Sequence, residues 1–353
     1  MSIAYKTAVA HGAKGALFAD GINRRYVSGF PSTEGVALCH EEGVALFLDM
    51  RYAVSAENAG LAEDVRVIRC TGGIMEAVKA FTAEKGIDKL IIESTAVTIA
   101  ELERLKAALA DMELVPVKNI CGTARQIKTA GEIACIRKAQ SITDKCFSHI
   151  LGFIKKGVTE KEVAAEMEYF MKKNGAEGLA FETIAVSGAK SALPHGVPGE
   201  DVLTENAFFT MDFGASYGGY CSDMTRTVVL GKANEEMRRI YNTVLEAQKA
   251  AIAAIRDGVY CKDVDAAARD IIAAAGYGEY FTHSTGHSLG LEIHESPACT
   301  PKSADTLRSG MFMTVEPGIY IENLGGVRIE DMVLVTDGGC EDFTASPKEL
   351  IEI

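Results

Sequence analysis

The apolar and polar positions divide the chain into two parts with different patterns. Up to about residue 120, short apolar runs alternate with segments of helical composition. The stretch VALCHEEGVALFLDM, residues 36–50, predicts a hairpin whose turn lies in EEG, and LIIES, residues 90–94, predicts another strand. Residues 98–110 have helical composition. The pattern predicts a small α/β domain over residues 1–121.

From Thr129 onward, long amphipathic segments with helix-capping signals come in pairs, and apolar strands follow each pair. Thr129 with Glu132, and Thr159 with Glu162, fit capping boxes, in which each end of the motif satisfies a backbone donor of the other. The predicted helices run from Thr129 to about Lys156, from Thr159 to Gly175, from Asn234 to Gly258 and from about Asp263 to Ala275. A second, larger domain over residues 122–353 is therefore predicted.

This second domain contains an internal repeat. KKGVTEKEV (155–163) resembles RDGVYCKDV (256–264), and PHGVP (194–198) resembles IHESP (293–297), in the same order and at nearly the same separation. The second match places His195 on His294. Two such halves would pack around a pseudo-twofold axis, and a site between them would draw residues from both.

The first half carries a candidate pair of facing acids. FFTMDFGASYGGYCSDMTRTVVL (208–230) reads as two strands around a glycine-rich turn. If the turn is centred between Tyr217 and Gly218, Asp212 lies directly opposite Asp223. Facing side chains on antiparallel strands are only about 5 Å apart, so two like charges there need a cation.

The second half carries a similar pair. In MFMTVEPGIYIENLGGVRIEDMVLV (311–335), a pairing centred on Asn323 places Glu316 opposite Glu330. The alternative is that all four acids are solvated at hairpin ends, since Asp and Glu are usually exposed. The occurrence of two equivalent pairs on apolar strands favours a metal site.

Three histidines, His283, His287 and His294, lie close together in HSTGHSLGLEIHE. Four carboxylates and one imidazole match two divalent cations in charge, and this oxygen-rich set suits Mn²⁺, Co²⁺, Fe²⁺ or Zn²⁺. Two such ions can share and activate a water molecule. These residues predict a hydrolase.

Composition excludes several other classes. The net charge of −13 and the isoelectric point near 5.1 disfavour nucleic acid and anionic membranes as partners. No apolar run approaches the roughly 18 residues of a spanning helix, and the first residues lack the pattern of a signal peptide. Nine scattered cysteines without a C-x-x-C motif indicate reduced thiols, so we expect a cytoplasmic protein.

The combination of MDFGASYGGYCSDMTRT, HSTGHSLGLEIHE, TVEPGIYI and GGVRIED resembles the metallopeptidases of the pita-bread fold, which include aminopeptidase P, prolidase and methionine aminopeptidase. RRYVSGF and LFLDMRY are similar to the smaller N-terminal domain of the creatinase, prolidase and aminopeptidase P branch, and TASPKELIEI also resembles that branch. The resemblance implies an α/β protein with a creatinase-type domain at 1–121. A pita-bread catalytic domain with pseudo-twofold duplication would follow at 122–353.

The resemblance also implies a role for each candidate residue. The metal ligands would be Asp212, Asp223, His287, Glu316 and Glu330. Asp223 and Glu330 would bridge two ions, and Glu316 would also handle the proton of the bridging water. His195 and His294 would contact the scissile peptide and its oxyanion, and His283 would shuttle protons. Tyr320 and Arg328 would orient ligands or substrate. Alternatives remain for several: His283, Tyr320 and Arg328 could be structural, and His195 could belong to a surface turn.

The implied activity is cleavage of the peptide bond before proline, with two divalent ions per subunit, Mn²⁺ first among them, in a homodimer. Several prolidases have an arginine soon after the proline of HESP, where this chain has Ala298, Cys299 and Thr300. This difference favours an Xaa-Pro aminopeptidase over the alternative, an Xaa-Pro dipeptidase. A metal-free creatinase-type hydrolase and a non-catalytic binding protein are further alternatives, which the intact ligand set disfavours.

Overall fold

The computed structural model describes residues 2–353, which form two compact units, the first ending at Arg125 and the second beginning at Gln126. The helices of the first unit are α1 (Ile3–Ala10), α2 (Gly21–Ser28), α3 (Met50–Glu57), α4 (Ile74–Glu84) and α5 (Ile99–Ala108), and α6 (Gly122–Gln126) spans the boundary. The strands are β1 (Gly15–Phe18), β2 (Val36–His40), β3 (Gly43–Asp49), β4 (Val65–Cys70), β5 (Lys89–Glu93) and β6 (Glu113–Val117).

The six strands of the first unit form one mixed sheet in the order β4-β3-β2-β1-β5-β6. The hairpin predicted at residues 36–50 is confirmed, because His40 pairs with Gly43 and leaves two residues for the turn. Successive residues of β1 alternate between two apolar cores: Phe18 packs with α1 and α3, whereas Leu17 packs with α4 and α5. The sheet is therefore covered on both faces.

The second unit contains four long helices: α7 (Ala130–Ile150), α8 (Glu160–Lys173), α9 (Glu235–Ala254) and α10 (Cys261–Ala274). The strands of its first half are β7 (Gly178–Leu179), β8 (Ile184–Ser187), β9 (Ala207–Phe213), β10 (Ala215–Tyr217), β11 (Tyr220–Cys221) and β12 (Met224–Leu230). Those of its second half are β13 (Gly286–Ser288), β14 (Glu295–Cys299), β15 (Phe312–Val315), β16 (Gly318–Ile321), β17 (Gly325–Arg328), β18 (Asp331–Val335) and β19 (Cys340–Asp342). Within residues 2–353, no helix is both long enough and apolar enough to cross a membrane.

The duplication predicted from the sequence is visible in equivalent backbone contacts. The residue before the second helix of each half forms a β-bridge to a later segment, Thr159 to Val202 and Tyr260 to Thr306. In the first half, α7 and α8 pack on β9 and β12. In the second half, α9 and α10 pack on the strands β15 to β18. Each half thus has its own apolar core.

The predicted caps of α7, α8 and α9 are confirmed. The prediction that α7 continues to Lys156 is wrong, because the helix ends at Ile150 and a turn follows. Gly152 lies in this turn, and glycine disfavours continuation of a helix. The connector predicted after residue 115 contains α6, whose five residues are too few to show an apolar period.

Candidate active site

A cavity of about 800 Å³ lies in the second unit, and both halves of the duplication line it. The candidate residues in its lining are His195, Asp212, Asp223, His283, His287, His294, Glu316, Arg328 and Glu330. Tyr320 is not among the lining residues, but its hydroxyl hydrogen-bonds both Arg328 and His283 at 2.8 Å. All ten residues predicted from the sequence are therefore in the cavity wall or in direct contact with it.

The acids of the first half lie on the hairpin of β9 and β12, but they are not directly opposite each other. Asp212 pairs with Thr225, so the predicted pairing of Asp212 with Asp223 is wrong by two residues. The turn lies at Gly218 and Gly219, slightly further along the chain than predicted. Both glycines have positive φ angles, 60° and 81°, as a two-residue type I′ turn requires. A shift of two residues keeps side chains on the same face, so both acids still line the cavity.

The acids of the second half lie where two short hairpins adjoin. The pairings of β15 with β18 and of β16 with β17 share one register, which places Glu316 across from Glu330 as predicted. The backbone N–H of Glu316 donates to the Thr285 carbonyl at 2.8 Å, and that of Glu330 donates to the Thr225 carbonyl at 3.1 Å. The second bond joins the two halves, so Glu330 is fixed to the strand β12.

His287 reaches the acids from β13. This strand lies so close to β15 that a Cβ atom at Gly286 would be 1.9 Å from the Thr314 carbonyl oxygen, so glycine is needed there. The Nδ1 atom of His287 lies 3.1 Å from the Ser288 carbonyl oxygen, to which it donates as N–H. This bond fixes the tautomer and leaves the Nε2 lone pair for a ligand.

The acids and His287 converge on a space suited to cations. The His287 Nε2 atom is 3.6 Å from an Asp223 oxygen and 3.4 Å from a Glu316 oxygen, and Asp223, His287 and Glu330 offer ligand atoms within 4.8 Å of one another. Among the described residues, Oδ1 of Asp212 and Oε1 of Glu330 are buried without a hydrogen-bond partner. Such buried acceptors are costly unless they are satisfied. A divalent metal ion would satisfy both, and oxygen donors with one imidazole suit it chemically.

Neighbouring side chains hold the other carboxylate oxygens. Arg328 donates to Asp212 at 2.6 Å, the Thr225 hydroxyl to Glu330 at 2.7 Å and the Thr314 hydroxyl to Glu316 at 3.2 Å. Neither threonine was predicted from the sequence. A signal was available, because Thr225 and Thr314 each lie two positions from an acid on the same extended segment, and alternate residues of a strand share a face.

Tyr320 connects His283 with Arg328. The Tyr320 hydroxyl accepts a hydrogen bond from Arg328 Nη1 at 2.8 Å, so its own proton is directed to His283 Nε2, also at 2.8 Å. The Nδ1 atom of His283 then donates to the Ser284 carbonyl at 2.8 Å. Burial, reinforced by the charge of Arg328, lowers the pKa of His283 to about 4, in agreement with a neutral imidazole.

His195 and His294 line the cavity from opposite halves of the duplication, and both are exposed. The ring of His294 packs on that of His287, with the centroids 4.5 Å apart and the planes at 64°. Burial, together with His287, lowers the pKa of His294. Within the part of the chain that the structure describes, we find no hydrogen bond to the His195 ring.

Comparisons with known proteins place this site in a family. Residues 134–337 match metallopeptidase family M24, and residues 4–127 match the creatinase/prolidase N-terminal domain. The Xaa-Pro dipeptidase of Pyrococcus horikoshii is 40% identical over 337 residues, which cover 95% of this chain and 93% of that protein. This chain belongs to metallopeptidase family M24.

Solved structures with the same two-domain architecture resemble this M24 metallopeptidase. An Xaa-Pro dipeptidase from Bacillus anthracis has a TM-score of 0.95 and 43% identity, over 99% of this chain and 98% of its own. An X-Pro aminopeptidase from Thermotoga maritima has a TM-score of 0.92 and 34% identity, over 100% of both chains. The α/β fold with a creatinase-type first domain and a pita-bread second domain is confirmed.

Burial, followed by the crowding of acids, changes the protonation of the acids in the M24 site. Burial raises the pKa of Glu316 to about 7. Burial, followed by the charge of Glu330, raises the pKa of Asp223, and burial, followed by the charge of Glu316, raises that of Glu330. In a metalloenzyme this arrangement couples cation binding to proton release, because the ligands must be deprotonated.

We expect metal binding to release more protons at pH 6 than at pH 8.5, and metal affinity to fall as the pH falls below about 7. The Glu316 pKa near 7 lies above its ordinary value of 4.5, so the metal-free protein holds a proton that the cation must displace. Calorimetric titration in buffers of different ionisation enthalpy measures this release.

The same shift has a consequence for stability. A raised carboxyl pKa stabilises the folded metal-free protein below pH 4.5, and that contribution is lost as the pH rises through about 7. The free energy of unfolding of the metal-free protein should therefore fall over this window, and bound metal should remove the decline. In the calorimetric titration described above, proton release that does not depend on pH would contradict the assignment of Glu316 as a ligand.

Proposed function

We propose that this chain is a dinuclear metal-dependent Xaa-Pro dipeptidase, which hydrolyses the bond between a first residue and a C-terminal proline. The observation that carries the proposal is the convergence of four carboxylates and one imidazole around two buried carboxylate oxygens that have no partner among the described residues. Membership of a metallopeptidase family supports a divalent cation at this place.

The proposed ligands of the two ions are Asp212, Asp223, His287, Glu316 and Glu330. Four carboxylates match the charge of two divalent ions. Asp223 and Glu330 are the most deeply buried of these four acids, with exposures of 4% and 1%, and their carboxylates would help to hold the ions. We propose Mn²⁺ as the native ion, while Co²⁺, Fe²⁺ and Zn²⁺ also suit this donor set.

When bound, the ions would supply Lewis acidity and a water molecule of lowered pKa. Glu316 is the acid proposed to take up the proton of the attacking water; its side chain is 15% exposed and retains access to the cavity. The bond from Thr314 holds one of its oxygens in place. Tyr320 and Arg328 would fix the position of Asp212 and form a chain of hydrogen bonds from His283 to Asp212.

His195 and His294 are the proposed donors to the scissile peptide. During attack, negative charge develops on the carbonyl oxygen, and a positioned imidazole N–H stabilises that charge. Both rings line the cavity, and neither is required to complete the five proposed ligands. Their proposed role is therefore on the substrate.

Specificity for proline is supported by the relatives and by the cavity lining. Proline forms a tertiary amide without an N–H, so a site for it needs an apolar contact for the ring in place of an acceptor for that donor. Phe181, Ile184, Val197 and Ile293 provide apolar surface in the lining. The relatives from Pyrococcus horikoshii and Bacillus anthracis carry the name Xaa-Pro dipeptidase. These names favour the dipeptidase alternative over the aminopeptidase expected from the sequence.

An Xaa-Pro aminopeptidase is the second candidate, and one observation favours it. Among the described residues that line the cavity, Arg328 is the single arginine, and there is no lysine. Its guanidinium is already hydrogen-bonded to Asp212, Tyr320 and Thr225. A dipeptidase needs a cation for the free carboxylate of its substrate, and the similarity to the Thermotoga maritima X-Pro aminopeptidase agrees with this candidate.

We expect Xaa-Pro dipeptides to be cleaved with a kcat/KM about tenfold or more above that of matched Xaa-Pro-Yaa tripeptides. A charge-assisted hydrogen bond to the free proline carboxylate, worth about 1.5–3 kcal/mol, would account for this preference. The measurement compares Ala-Pro, Ala-Pro-Ala and Ala-Ala with the Mn²⁺-loaded protein.

Ala-Ala is the control for the proline contact, and it should be cleaved slowly. A preference for the tripeptide would replace the dipeptidase by the aminopeptidase. Equal rates on Ala-Pro and Ala-Ala would remove proline specificity altogether. The homodimer and the cytoplasmic location expected from the sequence stay predictions.

A further inference from the structure

One buried carboxylate fastens both ends of the segment that carries His195. Glu160, the first residue of α8, has no exposed surface. Its Oε1 atom accepts the N–H of Ser187 at 2.7 Å, and its Oε2 atom accepts the N–H of Gly199 at 3.0 Å. We call residues 187–199 the His195 loop. A single side chain thus closes the base of a loop that lines the cavity with residues 194–198.

The charge of Glu160 is compensated from within the same loop. Lys190 donates to Glu160 Oε2 at 2.6 Å and also contacts Asp201 at 3.2 Å, whose side chain is 74% exposed. A buried carboxylate is tolerated only with such partners. The ring of His195 has no hydrogen bond of its own among residues 2–353, so its position is inherited from the loop backbone.

The second half of the duplication contains a similar arrangement. Asp265 on α10 is 1% exposed, and its Oδ1 atom accepts the N–H of Thr285 at 3.1 Å. Arg269 pairs with both Asp265 oxygens at 2.7 and 2.9 Å and donates to the carbonyls of Phe281 and His283 at 2.9 and 2.8 Å. In both halves, a buried carboxylate and a cation hold the backbone of a segment that carries a site histidine.

The two carboxylates do not occupy equivalent positions of the sequence repeat. The match of residues 155–163 with 256–264 aligns Glu160 with Cys261, whereas Asp265 lies one turn further along its helix. The same kind of anchor therefore occurs in both halves with different residues. This recurrence indicates that holding the histidine segments matters to the site, beyond inheritance from a common ancestral half.

We propose that Glu160 is a positioning residue for His195, which sets the place of this imidazole in the cavity without touching substrate or ligands. The proposal rests on the proposed function of His195 as a donor to the scissile peptide. Glutamine in place of Glu160 has one acceptor oxygen where the carboxylate has two. Its NH₂ group would face a donor, either the N–H of Ser187 or the N–H of Gly199 and Lys190. One end of the His195 loop would be released.

The test is a double-mutant cycle of Glu160→Gln with His195→Ala in the metal-loaded protein. In the wild-type background we expect Glu160→Gln to lower kcat/KM for Ala-Pro about tenfold, mainly through kcat, since small misplacements of catalytic groups cost up to about 10². In the His195→Ala background the further loss should be less than about twofold, because coupled residues are not additive. Equal losses in both backgrounds would show a general structural effect and overturn the proposal.

Asp201→Asn is the matched control, because it alters the exposed partner of Lys190 and leaves every bond of Glu160 in place. We expect its kcat/KM to stay within about twofold of wild type, as for surface substitutions in general. If Glu160→Gln does not fold, Lys190→Ala takes its place in the cycle. It removes one of the three hydrogen bonds to the Glu160 side chain. Its loss of kcat/KM should again be seen in the wild-type background and be less than about twofold in the His195→Ala background.

A readout without substrate separates this proposal from the proposed function. The chain has seven histidines, so imidazole resonances can be resolved by NMR in the Zn²⁺-loaded protein, which contains no paramagnetic ion, and that of His195 is identified by its loss in His195→Ala. Glu160→Gln should shift or broaden the His195 signal and leave those of His287 and His294 unchanged, whereas Asp201→Asn should change none. An unchanged His195 signal would overturn the positioning role. A shifted signal in a protein that cleaves no Xaa-Pro peptide would refute the proposed function alone.

Discussion

Complete chelation of divalent metal should abolish peptide hydrolysis by this M24 metallopeptidase, and Mn²⁺ or Co²⁺ should restore it. We expect this result because four carboxylates, of which those of Asp223 and Glu330 are buried, and His287 surround a space with two unsatisfied carboxylate oxygens. The ions would contribute several kcal/mol of transition-state stabilisation, so the loss should be about 10³-fold or more. Kinetics before and after chelation, together with elemental analysis, measure the effect and should find two ions per chain.

Two variants control for the source of the metal dependence. Asp223→Asn should lose metal together with activity. Asp342→Asn should keep both, because Asp342 is an exposed acid of β19 that does not line the cavity. A fully chelated protein that still hydrolyses Ala-Pro would contradict the dinuclear proposal.

His294→Ala and His195→Ala should each lower kcat by about 10²–10³-fold, the usual cost of losing one donor to an oxyanion. Both variants should retain two metal ions, because neither ring belongs to the proposed ligand set. His287→Ala should instead lose metal affinity along with rate, since its Nε2 atom faces Asp223 and Glu316. Metal content and kinetics of the three variants are measured side by side. If His294→Ala loses an ion while His287→Ala retains two, the ligand and the substrate donor have been exchanged.

Features that depend on local sequence were predictable. Capping residues fix the starts of α7, α8 and α9, and the register of the second acid hairpin followed from its own residues. The first acid hairpin was misplaced because two successive glycines and their neighbours allow several turn positions. The end of α7 was misplaced because a single glycine decides between a longer helix and a turn.

The residues of the candidate site could be predicted where their residue type and their place in an apolar strand mark them as possible ligands or catalytic groups. Acids and histidines in apolar strands stand out in a sequence, and the structure brings eight of them to one place, together with Arg328 and its neighbour Tyr320. Glu160 and Asp265 could not be found in this way. Each lies in an ordinary amphipathic helix, and its partners are backbone N–H groups 20 to 39 positions away, which carry no mark in the sequence. Their environment exists only in the folded chain.

The type I′ turn at Gly218 and Gly219 sets the register of the first pair of acids, and that pair responds differently to a shift of one residue and to a shift of two. Slipping one strand by two residues leaves Asp212 and Asp223 on the cavity side, and for this reason a prediction with the wrong register still identified both acids. Slipping it by one residue would turn one of them into the apolar core. A single inserted residue near the turn must therefore be absorbed as a bulge or remove an acid from the cavity, whereas a pair of inserted residues could simply lengthen the hairpin. Across this hairpin, an odd change in the number of residues between the two acids would move one acid to the other face of the sheet. An even change would alter only the length of the hairpin.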